Sequence, residues 1–370
     1  MGEPICRPVW MDISIAALRE NITHLTNLAN GRRIIASVKA DGYGFGAGPS
    51  SRVFADAGVD MLATASMADA MAIRDEGVSC PILLFGGLRA NDLPQAVRAG
   101  LIPTIGFETE LDALRECPGP VPVFIKVETG LGRLGVPIEV ASQFIRKAYL
   151  RPWISIAGVY THFPLGDNDD TNWVAPRLAA FGALLDALRS AGISPLYTQA
   201  LASAGTLLAL DDPCNAISPG HSLYGLSPFR TGPGSESLTM SALQAVQARL
   251  ISVRRFPEAR TIGVGGVRSL PSNATLGVLP IGRADGWPGT VANEFCVRLE
   301  HHYAPVLGVS LEHTVIDLTG APAAVDDIVT LVDTRDPRIS LDALSKASAR
   351  PALDLMIAMG PRVAKRYVDG

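Results

Sequence analysis

Apolar and polar positions alternate along this chain with two different textures. Through the first two-thirds, short apolar runs are separated by stretches with helical spacing. The runs are Ile34–Lys39, Met61–Ala65, Ile82–Phe85, Ile102–Phe107, Val121–Val127, Ile154–Thr161, Leu196–Leu201 and Ala216–Ser218. Helical spacing appears at Ile15–Ala29, before the first run, and at Ser66–Glu76, Glu139–Tyr149 and Ala175–Ala191 between later ones. Strands alternating with helices predict a parallel sheet. Eight repeats favour a closed (β/α)8 barrel over an open sheet. Near residue 240 the helical spacing fades. Val246–Phe256, Ala274–Ile281, Phe295–Leu299, Val306–Ser310 and His313–Leu318 read as strands punctuated by Gly, Pro and Asp. The fold expected is α/β: a TIM-like barrel over residues 12–238, then a mostly β domain over 239–370 joined by residues 1–11. TGPGSESL (231–238) is the expected linker.

Length and composition agree with two domains. The chain has 370 residues, 48% hydrophobic and 18% charged, enough for a large buried core. A formal net charge of −4 without long basic runs argues against nucleic acid as a partner. Five scattered cysteines, with no C-x-x-C spacing, argue against a disulfide framework or a metal site and fit a reducing cytoplasm. No apolar run approaches the ~20 residues of a membrane span.

Barrel enzymes carry their chemistry at the C-terminal ends of the strands, with phosphate held by the loops after the last two. Lys39 ends the first run, and IKVETGLGRLG continues the fifth. Thr161 and His162 end the sixth. Ser203 follows the seventh, and Ser218-Pro219-Gly220-His221 closes the eighth. A single lysine at a strand end is ordinarily a solvated charge, and a single serine carries little signal. Five suitable groups at five strand ends point to a site. A desolvated lysine facing hydroxyls and backbone N–H groups is the outline of a Schiff-base lysine opposite a phosphate cradle. This spacing alone leaves the cofactor open.

Six segments then match, in order, those of a known family. SVKADGYGFG (37–46) resembles the lysine motif of alanine racemases, V-K-A-x-A-Y-G-H-G. IKVETGLGRLG (125–135) is similar to K-V-D-T-G-M-G-R-L-G, and GVYTHF (158–163) and SPGHSLYGLSP (218–228) match two further segments. LPIGRADGW (279–287) resembles P-I-G-Y-A-D-G-W, and VSLEHTVIDL (309–318) resembles V-S-M-D-x-x-x-x-D-L. The resemblance implies a fold-type III pyridoxal phosphate enzyme with an amino-acid substrate. It also implies a head-to-tail homodimer, in which the β domain completes the partner's site. By position, Lys39 would hold pyridoxal phosphate. Tyr43, Ser203, Gly220 and His221 would bind its phosphate, and Ser218 would lie under its ring nitrogen. His162 would pack near the ring, and Arg133 would sit beside the substrate, flanked by Leu311 and Glu312. Lys126 falls where some members carry a carbamylated lysine that orients the arginine.

Three departures change what the resemblance implies. The family's second base, a tyrosine from the other subunit, is replaced by Arg283, whose guanidinium stays protonated. Ser218 stands where the family has arginine, and Leu353 where it has a phosphate-binding tyrosine. The expectation is one-face Cα chemistry: retro-aldol or other lyase cleavage, transfer or decarboxylation, with His162 as a base. The alternatives are an alanine- or serine-type racemase with a substitute second acid/base, and a non-catalytic pyridoxal phosphate-binding protein. Two guanidinium groups, Arg133 and Arg283, facing one substrate lead us to expect an extra anionic group on it, unless Glu312 neutralises the pair.

Overall fold

A computed structural model describes residues 7–166, 170–229, 240–263 and 268–369. The expected linker at 231–238 lies outside the described residues. The chain divides into two compact units. One comprises Ala17–Tyr43 and Ala47–Met240; the other gathers the N-terminal residues up to Ala16, the short segment Gly44–Gly46, and everything from Ser241 onward.

The first unit is a closed barrel of eight parallel strands. They are Arg33–Ser37, Met61–Thr64, Ile82–Leu84, Ile102–Ile105, Val121–Glu128, Ile154–Tyr160, Tyr197–Ala202 and Ala216–Ser218. Each pairs with its neighbours in sequence. Closure comes from the last strand on the first, Ala216 opposite Arg33, while Thr104 opposite Phe124 joins the fourth to the fifth. Strands covered on both faces need apolar residues throughout, which is why these runs do not alternate. The interior packs Ile35, Met61, Leu83, Phe124, Tyr160 and Tyr197 together. A larger apolar layer lies between the strands and helices such as Ile138–Tyr149 and Asp170–Ser190. The barrel's floor and sides are therefore solid, and the strand ends are the place left for a site.

The second unit is built on a nine-stranded sheet. The sequence missed one end of it. Val9–Ser14 pairs antiparallel with Leu243–Arg249 and parallel with Ala364–Val368, so the expected boundary at residue 12 falls inside a strand of this sheet. Ile328–Asp333 is a further strand, and Leu341–Ser348 and Ala352–Met359 are helices that the reading did not place. The expected strand Val246–Phe256 is two strands, Leu243–Arg249 and Ser252–Phe256. At the break the chain changes partners: Leu250 N–H donates to Asp327 O, and Ile251 N–H to Val278 O. Among the described residues no helix is long and apolar enough to cross a membrane. Cys80, Cys117, Cys214 and Cys296 are free thiols.

Candidate active site

The first barrel strand stops at Ser37, and Lys39 opens a turn of unusual hand. Ala40, Asp41 and Gly42 have φ of 55°, 53° and 59° with ψ of 51°, 51° and 44°. Tyr43 and Gly44 continue with φ of 57° and 88°. This is a full turn of left-handed helix, which costs L-residues roughly 1–2 kcal/mol each. Such strain persists only where surrounding contacts fix it, and it clusters at functional sites. Gly42 N–H donates to Val38 O at 3.0 Å, and Ala47 N–H donates to Asp41 Oδ1 at 2.8 Å. One turn apart, Lys39 and Tyr43 both line the cavity at the barrel mouth, with Lys39 Nζ 5.8 Å from the Tyr43 ring centre.

That cavity has a volume of about 430 Å³. Nine residues singled out in the sequence line it: Lys39, Tyr43, Lys126, Arg133, His162, Ser203, Ser218, Gly220 and His221. At one end Ser203 Oγ accepts the N–H groups of Gly220 (2.9 Å) and Ser222 (3.3 Å). The Tyr43 hydroxyl lies 3.4 Å from Ser37 Oγ, and its ring packs against His221 and Tyr224 at 5.4 and 5.3 Å. A side chain on Gly220 would strike the Tyr43 hydroxyl, so glycine is what lets the phenol reach this backbone. Ser222 Oγ is buried here with no hydrogen-bond partner among the described residues.

Arg133 reaches the cavity from the loop after the fifth strand. Glu128 Oε1 accepts the N–H groups of Gly130 and Gly132, both at 2.8 Å, and folds that loop back on its strand. Burial pushes the Glu128 carboxyl up, but these N–H bonds outweigh it and hold the group below its ordinary value. Gly135 ends the loop at φ 116°, where a side chain would meet Lys126 O at 2.9 Å. Both the conformation and the close approach require glycine.

Among the described residues that line the cavity are Lys39, Lys126 and Arg133, and no Asp or Glu. Burial, then the charge of Arg133, lowers Lys39. Burial, Arg133 and Lys39 push Lys126 down to about 8 against the pull of Glu128. His162 falls to about 3 through burial and then Lys39, Lys126, Arg133 and His221, and His221 falls to about 4 through burial and Lys39. Both imidazoles are neutral at pH 7. The sequence reading missed Tyr160 and Gln199, which also line the cavity. Tyr160 is buried, pushed up to about 12, and its hydroxyl lies 3.1 Å from Thr104 Oγ1. Its place at the C-terminal end of a strand was the available signal.

Arg283, Leu311 and Glu312 belong to the other unit. Arg283 opens the turn Arg283–Asp285 and is exposed. Its N–H donates to Ser310 O at 3.0 Å, and Ala284 N–H donates to Leu311 O at 2.8 Å, so the two loops are knitted together. Leu311 is 60% exposed. Asp285, fully buried, accepts from Gly282 N–H (2.9 Å), pairs with Arg7 (2.7 Å) and with Arg362 (3.0 Å). Glu312 does not neutralise Arg283: its carboxylate pairs with Arg362 at 3.0 Å and with Arg7 at 4.0 Å.

Comparison with known proteins covers nearly the whole chain. The family model "Alanine racemase, N-terminal domain" matches residues 13–228, and "Alanine racemase, C-terminal domain" matches 243–367. The alanine racemase of Pectobacterium atrosepticum is 31% identical over 363 residues, covering 97% of this chain and 98% of its own. Alanine racemase 1 of Oceanobacillus iheyensis is 29% identical over 373 residues, covering 98% of each. The crystal structure of alanine racemase from E. faecalis matches with a TM-score of 0.88 over 100% of both chains, at 27% identity.

Proposed function

The chain belongs to the alanine racemase family, and on that premise we propose that it is a pyridoxal phosphate enzyme acting on one face of an amino acid's Cα. The barrel mouth suits that cofactor on three observations. A cavity lined by two lysines, an arginine and two histidines, with no carboxylate among the described lining residues, favours a polyanionic ligand. Ser203 Oγ, the Gly220 and Ser222 N–H groups and the Tyr43 hydroxyl converge at one end. Beside them, behind the cavity wall, Ser222 Oγ is a buried hydroxyl without a partner among the described residues. Lys39 would bond the aldehyde carbon. Tyr43, Ser203, Gly220 and His221 would hold the phosphate, Ser218 would lie under the ring nitrogen, and Arg133 beside the substrate. When bound, pyridoxal phosphate withdraws electrons from Cα and loosens the bonds to it.

The observation that carries the one-face reading is Arg283 in place of the second base. Its guanidinium keeps its protons at ordinary pH and accepts none. Lys39, its basicity reduced by burial and Arg133, remains as the proton carrier on its face. Neutral His162 takes a proton from a substrate β-hydroxyl in a retro-aldol reaction. An anion bound among the surrounding cations raises its basicity from the low value that they impose. Transfer or decarboxylation would use the same face. In a head-to-tail homodimer, exposed Arg283 and Leu311 would complete the partner's barrel mouth. With Arg133 they would favour a substrate bearing an extra anionic group. A cytoplasmic setting completes the proposal.

The second reading, a racemase with a substitute acid/base, is favoured by the full-length similarity to proteins named alanine racemase. Incubation in deuterated water with the L and D forms of alanine, serine and aspartate, followed by chiral analysis, separates the two. The one-face reading expects deuterium at Cα with retention, or cleavage of serine, and the strongest response from aspartate. Exchange with inversion establishes racemisation and removes that reading.

A further inference from the structure

The left-handed turn at Ala40–Gly44 is the strongest backbone anomaly beside the cavity, and the chemistry proposed above explains its presence but not how it is held. A right-handed turn after the first strand would meet no steric objection from Ala40, Asp41 or Tyr43, so something outside their own conformational preferences selects the hand. Asp41 is suited to do so on two counts. Its short carboxylate tolerates left-handed φ better than most side chains. Its Oδ1 accepts the N–H of Ala47, six residues on and the first residue of the helix Ala47–Asp56, at 2.8 Å. That N–H has no partner within its own helix, so the bond satisfies a helix terminus and anchors the turn at once. Asp41 is only half-buried and is not among the residues that line the cavity, whereas Lys39 and Tyr43 on either side of it both are.

We infer that Asp41 is a positioning residue: by accepting the Ala47 N–H it holds the left-handed turn that directs Lys39 and Tyr43 into one cavity. The inference rests on the reading of Lys39 as the cofactor lysine. Its test compares Asp41→Ala, Asp41→Gly and Asp41→Asn in the full-length protein, titrated with pyridoxal phosphate and followed by visible absorbance and circular dichroism. Glycine separates the two properties of the residue, because it adopts left-handed φ freely but accepts no bond.

Loss of a charge-assisted bond weakens cofactor affinity by about tenfold or more in the Ala and Gly variants. The visible dichroic band of the lysine-bound cofactor changes with it. Asn keeps an acceptor oxygen and restores both to within about threefold of the wild type. Should Asp41→Ala fail to fold, Asp41→Gly decides. Wild-type affinity and an unchanged band in the Gly variant, with only a lower melting temperature, overturn the inference. So does an Asn variant as impaired as Gly. A wild-type protein that shows no visible band at all overturns the cofactor reading instead, and the inference with it.

Discussion

Gly220→Ala tests the phosphate cradle by adding volume beside it. Gly220 has a φ of −132°, outside the left-handed region, so a methyl group there is not opposed by φ. It is opposed by Tyr43. The added Cβ would collide with the phenolic oxygen and lie 2.7 Å from Cζ, whereas ordinary contact begins at 3.4 Å. The ring must therefore retreat by at least 0.7 Å, the difference between those distances. Tyr43 is 4% exposed and packs against His221 and Tyr224, so it has little room to move. Overpacking of this kind costs about 1–3 kcal/mol. If the displaced groups are those that bind phosphate, the same cost appears as a rise of about 5- to 150-fold in the dissociation constant for pyridoxal phosphate. Equilibrium titration of the stripped protein, with a urea melt alongside, measures both. Unaltered affinity in a folded Gly220→Ala protein would refute the assignment of Tyr43 and the Gly220 N–H to the phosphate.

Three further outcomes follow from the charges. His162 and His221 lie at about 3 and about 4 against an ordinary 6.5, so the unfolded chain binds more protons between these values. Stability of the stripped protein is then fully present above pH 6.5 and lost as pH falls toward 4; a urea midpoint flat across that range contradicts the burial argument. In the other unit, Asp285→Ala removes bonds to Arg7, Arg362 and Gly282. It should cost about 2–4 kcal/mol, near the sum of two charged bonds discounted for the partial exposure of the arginines. Arg362→Ala, on the 43% exposed side of the network, should cost less than about 1 kcal/mol in the same urea assay.

Much of this was legible because the physics is local. Eight parallel strands buried on both faces leave eight apolar runs, and the groups that follow each run stand at the barrel mouth. Lys39, His162 and Ser203 were found that way. The hand of the turn was not legible: Gly42 and Gly44 admit it, but Ala40, Asp41 and Tyr43 adopt it only under tertiary constraint. Nor were the pairings that span the chain. Val9–Ser14 finds its partners only in Leu243–Arg249 and Ala364–Val368, far along the chain, and the bond from Arg7 to Asp285 crosses 278 positions. Nor does any sequence pattern announce Arg362 as a partner of Glu312.

Two lysines, Lys39 and Lys126, line the same cavity, and both are held below their ordinary basicity. The proposed chemistry requires the cofactor on the first. Borohydride reduction of the protein with pyridoxal phosphate, followed by peptide mapping, reads this directly. The expected result is a phosphopyridoxyl group on Lys39, in the peptide spanning residues 34–52. Label on Lys126, or on neither lysine, would contradict the account at its centre.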